Sequence, residues 1–233
     1  MGVREEGKNR RRDRITAAAR SLIQSGDSGF RMRALAEEAG VSIATPYNLF
    51  GSKQAILTAV MDADLSRFKQ TLLAERADSL TMFGKTVTIA RELIDLDPQF
   101  YRNVMLPTNA PVPDVDRTRL MHWKQLIENA VADGFLLTFT EPLELAIHLR
   151  QMFSSAFQRW AKGEISTREA EAQVKYAITI SLAGVATPAS RQRLQSHLRT
   201  YQETLRTIRM NKISVSEKSL RSSYSREAGA MQY

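Results

Sequence analysis

The 233-residue chain has no cysteine. Disulfides, thiolate metal sites and cysteine nucleophiles are therefore excluded, and a reducing compartment suits the composition. Histidine is scarce. His122, His148 and His197 fall on three separate helical stretches, so they read as surface or pocket-edge residues, and no metal is expected. No window approaches the roughly 18 apolar residues needed to span a bilayer. The first fourteen residues are charged, not apolar. A soluble, cytoplasmic protein without a membrane partner is expected. The chain also lacks strand-like alternation and internal repeats.

Enzyme signatures are missing too. There is no G-x-S-x-G, no H-E-x-x-H and no Gly-rich dinucleotide loop. Gly84-Lys85-Thr86 has the end of a phosphate-loop pattern, but Ser79 stands where the first glycine belongs, and the stretch lies within a helical pattern. No catalytic residue and no cofactor are expected.

What is present is apolar content and unevenly placed charge. Apolar residues make up 43% of the chain, enough for a core over most of its length. The net charge is +8. Residues 1–53 hold ten Lys/Arg against six Asp/Glu, and residues 206–233 hold six against two. The middle is neutral. A basic segment beside a small helical unit is the electrostatic footprint of a phosphate-binding surface. At the C-terminal end alone, a solubilising tail is the expectation.

Residues 1–9 read as a disordered basic arm. From Arg10 to about Ser25, the apolar positions Ile15, Ala18, Ala19, Leu22 and Ile23 line one helical face. Gly26-Asp27-Ser28-Gly29 stops that helix. Met32 to Glu38 is a second, short helix. Gly40 supplies its terminal turn, because only glycine takes positive φ at little cost. Ser42 is placed to cap a third helix, Ile43 to about Phe50. Gly51 ends it, and Ser52 caps a fourth starting at Lys53. Two helices of about seven residues joined by a Gly-containing turn form a helix-turn-helix pattern.

The surroundings sharpen the pattern. Ile15, Ala18-Ala19 and Gly26 are followed by Leu35-Ala36-Glu37-Glu38-Ala39-Gly40-Val41-Ser42, then Thr45, Tyr47, Phe50, Ser52-Lys53 and Leu57. Over about 50 residues this resembles the tetracycline-repressor (TetR/AcrR) family of transcriptional regulators. Two positions depart from the family pattern. Pro46 stands where an aliphatic residue precedes the Tyr, costing one intrahelical bond or delaying the helix start by a residue. Arg31 stands where the family often has a Ser or Thr cap.

The resemblance implies an all-α protein. Residues 10–53 would be a three-helix DNA-binding domain and 54–210 a helical ligand-binding and dimerisation bundle, with 211–233 a mobile tail. Helix starts are expected at Leu80, Pro98, Asp116, Pro142, Thr167 and Pro188, and a proline-rich loop between Pro107 and Pro113. Ser166 and Glu169 have capping-box spacing.

A recognition helix presents its N-terminal and outward residues to base edges, while flanking groups grip phosphate. The expected DNA-binding set is Arg31, Arg33, Ser42, Ala44, Thr45, Pro46, Tyr47, Asn48 and Lys53. Asn48 suits adenine, the carbons of Thr45 or Pro46 suit a thymine methyl, and Tyr47 suits phosphate. The candidate pocket is Phe83, Tyr101, Met105, His122, Trp123, His148, Met152, Phe153, Phe157 and Trp160. Arg150, Gln151 and the two histidines are its candidate polar anchors. This lining favours a small, mostly apolar effector. In the family, the last helix pair of two subunits packs as a four-helix bundle. By that resemblance Ala177, Ile180, Gly184, Leu194, Leu198, Tyr201 and Leu205 are the expected homodimer interface. A repressor on a pseudo-palindromic, double-stranded operator is the reading, with a helical small-molecule-binding protein or enzyme-like bundle that does not bind DNA as the alternative.

Overall fold

The computed structural model describes residues 3–27, 29–74, 77–105 and 113–230. The loop expected between Pro107 and Pro113 lies outside them, as do the side chains of Leu65 and Phe68.

Ten helices are described: α1 (Val3–Gln24), α2 (Met32–Glu38), α3 (Ala44–Phe50), α4 (Lys53–Ala74), α5 (Ser79–Leu96), α6 (Pro98–Met105), α7 (Pro113–Ala132), α8 (Pro142–Ala161), α9 (Thr167–Gly184) and α10 (Pro188–Ala230). Side-chain caps set four of their starts. Ser52 Oγ accepts from the Ala55 N–H, Asp78 Oδ1 from Thr81 N, Asp97 Oδ1 from Phe100 N, and Ser166 Oγ from Glu169 N. Each satisfies one of the N–H groups that a helix start leaves unpaired. The capping box at Ser166 is only half made. The Glu169 carboxylate is buried and takes Gln173 and Lys212 instead.

Three expectations are corrected. Helix α3 starts at Ala44, and Ser42 makes no side-chain cap; its hydroxyl meets Thr45 Oγ1 at 2.8 Å. The arm is not structureless, since α1 begins at Val3. Nor does the last helix end at 210: α10 runs on to Ala230.

Helix α1 packs on α2, α3 and α4, closing the head. Its core is Ile15, Ala19, Ile23, Phe30, Leu35 and Ile56, each at most 3% exposed. Helix α4 continues from the head into contact with α5, α6 and α7. In the bundle, α8 and α9 run antiparallel, with His148 beside Ser181 and Arg159 beside Gln173. α9 and α10 do the same, with Tyr176 beside Gln202 and Glu169 beside Lys212. An isolated antiparallel bridge, Leu136 to Ala186, pins the α7–α8 turn against the α9–α10 turn. Buried apolar side chains form one contiguous cluster from Ile15 to Leu194.

Candidate nucleic-acid interface and effector bundle

Helix α3 is seven residues long and fully buries a single residue, Pro46. Leu49 and Phe50 are half-buried beside it. The opposite side is open. Ile43 is 55% exposed and Tyr47 49%, and Ala44 and Asn48 are exposed with them. Positions i, i+1, i+4 and i+5 form one helical face, so these four make one outward strip. Ser42 and Thr45 sit at its N-terminal edge, hydroxyl to hydroxyl. Gly51, at φ 77°, ends the helix in a backbone conformation that other residues resist.

The expected contact set thus divides. Ser42, Ala44, Tyr47 and Asn48 face outward and Thr45 is half-buried at the edge. Pro46 does not; its ring faces the core, so its carbons are unavailable to a thymine methyl. Burying the ring also explains why a proline fits here, since it replaces an aliphatic side chain on the inner face. Lys53 is turned inward. Its ammonium donates to the Phe30 carbonyl at 2.6 Å and lies 4.5 Å from the Phe30 ring centroid. Burial lowers its pKa, with nearby Asp27 acting the other way. Arg31 and Arg33 are exposed at the start of α2, and Arg33 makes a surface pair with Glu37 at 3.1 Å. Ile43 was missed from sequence. The signal was there: an isoleucine one turn before an outward-facing tyrosine.

The expected pocket residues do not form one group. Phe83, Trp123, Phe153 and Phe157 do pack in series, with ring centroids 6.3, 6.2 and 4.5 Å apart. His122 lies beside Trp123 and its Nε2 is 3.2 Å from Thr86 Oγ1, a polar group at the edge of this aromatic series. Trp160 is buried one turn further along α8 from Phe157, with the Arg102 guanidinium 5.3 Å from its ring centroid, and Met105 is half-buried at the end of α6. His148 is corrected: it is exposed on the outer side of α8, paired with Ser181 at 3.0 Å. Met152 is half-buried, and Gln151 is exposed.

Tyr101 belongs to a different cluster, at the junction of head and bundle. Its hydroxyl donates to Asp64 Oδ2 at 3.0 Å, and the same carboxylate pairs with Arg20. Arg20 also lies over the Phe100 ring, 5.3 Å from its centroid. Burial pushes the Tyr101 phenol up to about 12. One buried carboxylate on α4 therefore ties α1 of the head to α6 of the bundle. Arg119 of α7 adds a second tie to α4 through Asp62 at 3.2 Å.

The expected dimer set also divides. Leu194 and Leu205 are buried within the chain, and the Tyr201 hydroxyl points at Gly84 of α5. Those three serve the subunit's own packing. Ala177, Ile180 and Gly184 lie on the outer side of α9, with Ile180 47% exposed, and Leu198 is half-buried. Beside them is an open groove of 590 Å³, lined by Arg159, Gln173, Tyr176, Gln202, Leu205, Arg206, Arg209 and Met210. Among the described residues, no His/Asp/Glu group could hold a metal ion, and no helix is long and apolar enough to cross a membrane.

Comparison with known proteins agrees with the geometry. Residues 15–60 match the model for bacterial regulatory proteins, tetR family. No curated protein sequence matches the chain. Among solved structures, a TetR transcriptional regulator from Rhodococcus sp. RHA1 is 21% identical, covering 76% of this chain and 99% of that one, at a TM-score of 0.61. FadR of Thermus thermophilus, a TetR-family repressor solved with lauroyl-CoA, is 19% identical over 76% and 95%, at 0.58. RolR, solved with resorcinol, is 16% identical over 83% and 95%, at 0.59. At these identities the likeness is one of fold.

Proposed function

We propose that this chain, which belongs to the tetR family of bacterial regulatory proteins through its helix-turn-helix domain, is a cytoplasmic repressor released by a small effector. It reads a pseudo-palindromic operator as a homodimer. The observation that carries this is the outward strip of α3: Ile43, Ala44, Tyr47 and Asn48 stand together on an open face with the hydroxyls of Ser42 and Thr45 at its edge. A helix of this size with short polar and apolar side chains on its free face suits a major groove. The exposed cations Lys8, Arg10, Arg11, Arg31 and Arg33 supply charge for phosphate.

The stripe Ala177, Ile180 and Gly184 supports pairing through α9. Its residues are small or apolar, they stand on one helical face, and water is their alternative partner. The aromatic series from Phe83 to Phe157, with His122 and Thr86 at its edge, supports an apolar effector carrying one polar group. FadR was solved with lauroyl-CoA and RolR with resorcinol, so proteins of this fold do bind small molecules. The Arg20–Asp64–Tyr101 cluster supports the route from effector to head. An effector that displaces α6 changes what Asp64 holds, and Asp64 holds α1. By linkage, DNA and effector then weaken each other's binding by the same factor.

The test is fluorescence anisotropy with labelled duplexes from the DNA flanking the protein's own gene, in a salt series, alongside light scattering for mass. One duplex should bind at least a hundred-fold tighter than the rest, at two chains per site. Equal affinity for every duplex would sink the reading.

A further inference from the structure

The basic charge of residues 1–53 reads from sequence as a phosphate-binding surface, yet Arg12, half-buried, and Arg14, exposed, both hold backbone carbonyls of the head. Arg12 Nη1 donates to the Leu49 carbonyl at 2.6 Å, and its guanidinium lies 4.3 Å from the Phe50 ring centroid. Leu49 and Phe50 are the last residues of α3. Arg14 Nη2 donates to the Ala39 carbonyl at 2.6 Å and the Gly40 carbonyl at 3.1 Å. These carbonyls end α2 and open the turn. Each helix of the helix-turn-helix therefore ends on an arginine from α1. Terminal carbonyls lack intrahelical partners and carry the negative end of the helix dipole, so a guanidinium is their best-matched donor.

Two further features show why such an anchor matters. Helix α3 has seven residues and no side-chain cap at its start. A helix this short has little stability of its own, so its orientation must come from neighbours. The turn is also built around Arg14: Gly40 sits at φ 60°, and a Cβ there would come within 2.9 Å of Arg14 Nη2. Lys8, Arg10 and Arg11, on the same helix, are exposed, as Arg14 is; Arg12 and Arg14 are marked out by the backbone carbonyls of the head that they hold.

We infer that Arg12 and Arg14 are positioning residues: they hold α3 and its turn at a set angle to α1, and so govern operator preference without contacting phosphate. The inference rests on reading α3 as the DNA-contacting helix. An alternative use of the same charges, direct phosphate binding alongside Arg10 and Arg11, predicts a different salt response.

The experiment uses the full chain. A duplex is first selected from a random pool by the wild-type protein. If no sequence is enriched, the reading of α3 falls, and this inference with it. With a selected duplex in hand, Arg12→Gln, Arg14→Gln, Arg10→Gln and Arg11→Gln are compared on it and on a scrambled duplex across a salt series. Arg12→Gln and Arg14→Gln should lose at least ten-fold in preference for the selected duplex. Their affinity for the scrambled duplex, and the salt slope, should stay at wild-type values. Arg10→Gln or Arg11→Gln should weaken both duplexes alike and lower the slope by about one, as loss of one phosphate contact does. If Arg12→Gln and Arg14→Gln show that second pattern, or behave as wild type, the inference is overturned. Arg12→Lys guards against misfolding. It keeps the charge but loses the planar fork and its stacking on Phe50. Lost preference in this variant supports positioning, and full retention overturns it.

Discussion

In the head, α3 is seven residues long and buries only Pro46; in the bundle, α8 is twenty residues long and buries six side chains, among them Leu149, Phe157 and Trp160. The two helices are held by different forces. Helix α8 keeps its place because apolar area leaves water along its length. Helix α3 must leave its outer face bare, so little apolar burial remains to orient it. Charged groups from α1 supply the rest, as Arg12 does at its C-terminus. A surface left open cannot also be packed, and the cost appears as polar clamps around it.

The sharpest break in this comparison comes from the aromatic series. Phe157 is 1% exposed, and Phe157→Ala should cost about 3–5 kcal/mol by cavity formation. Urea unfolding would read the loss, and a cost below about 1 kcal/mol would mean that this site collapses freely. Next is the shared carboxylate. Asp64→Ala removes the carboxylate that pairs with Arg20 and accepts from the Tyr101 hydroxyl, and should cost about 2 kcal/mol. It should also alter operator affinity, because the tie between head and bundle is cut. Unchanged operator binding in a folded variant would remove Asp64 from the route.

The head should respond in the opposite way. Tyr47→Ala should weaken operator binding ten-fold or more, about 1.4 kcal/mol, while stability shifts by no more than about 0.5 kcal/mol, because the ring is already 49% exposed. An equal loss of stability would mean that Tyr47 packs more than it reads. The smallest effects belong to the end of α10. Ending the chain after Ile213 should leave stability unchanged within about 0.5 kcal/mol. Lys212→Met should cost more, about 1 kcal/mol, because it strips the buried Glu169 of its cation. Thermal melts of both variants would separate the packed part of α10 from its extension.

Most helix positions were legible because their signals are local. Asp97-Pro98, Ser166, Thr187-Pro188 and the break at Gly51 each mark a boundary within a turn of the helix they limit. The extent of α1 and α10 was not. Both ends are polar and charged, so no apolar period marks them, and composition points to disorder where the backbone is helical. The set expected at a dimer interface shows a second limit. Periodicity placed Leu194, Leu205 and Tyr201 on one face of α10, and that face turns to α9 and α5 of the same chain. Period alone does not say which partner a helix face meets.

The sequence by itself determined the helix-turn-helix, because Gly40, Thr45, Tyr47 and Gly51 act within a span of a dozen residues. Only the tertiary structure decided where the long cationic side chains go. Arg12, Arg14 and Lys53 each find a carbonyl between 23 and 37 residues away along the chain. A guanidinium or ammonium on a flexible stem can serve phosphate, water or backbone equally well by composition. The choice falls to whichever carbonyl the fold brings within reach.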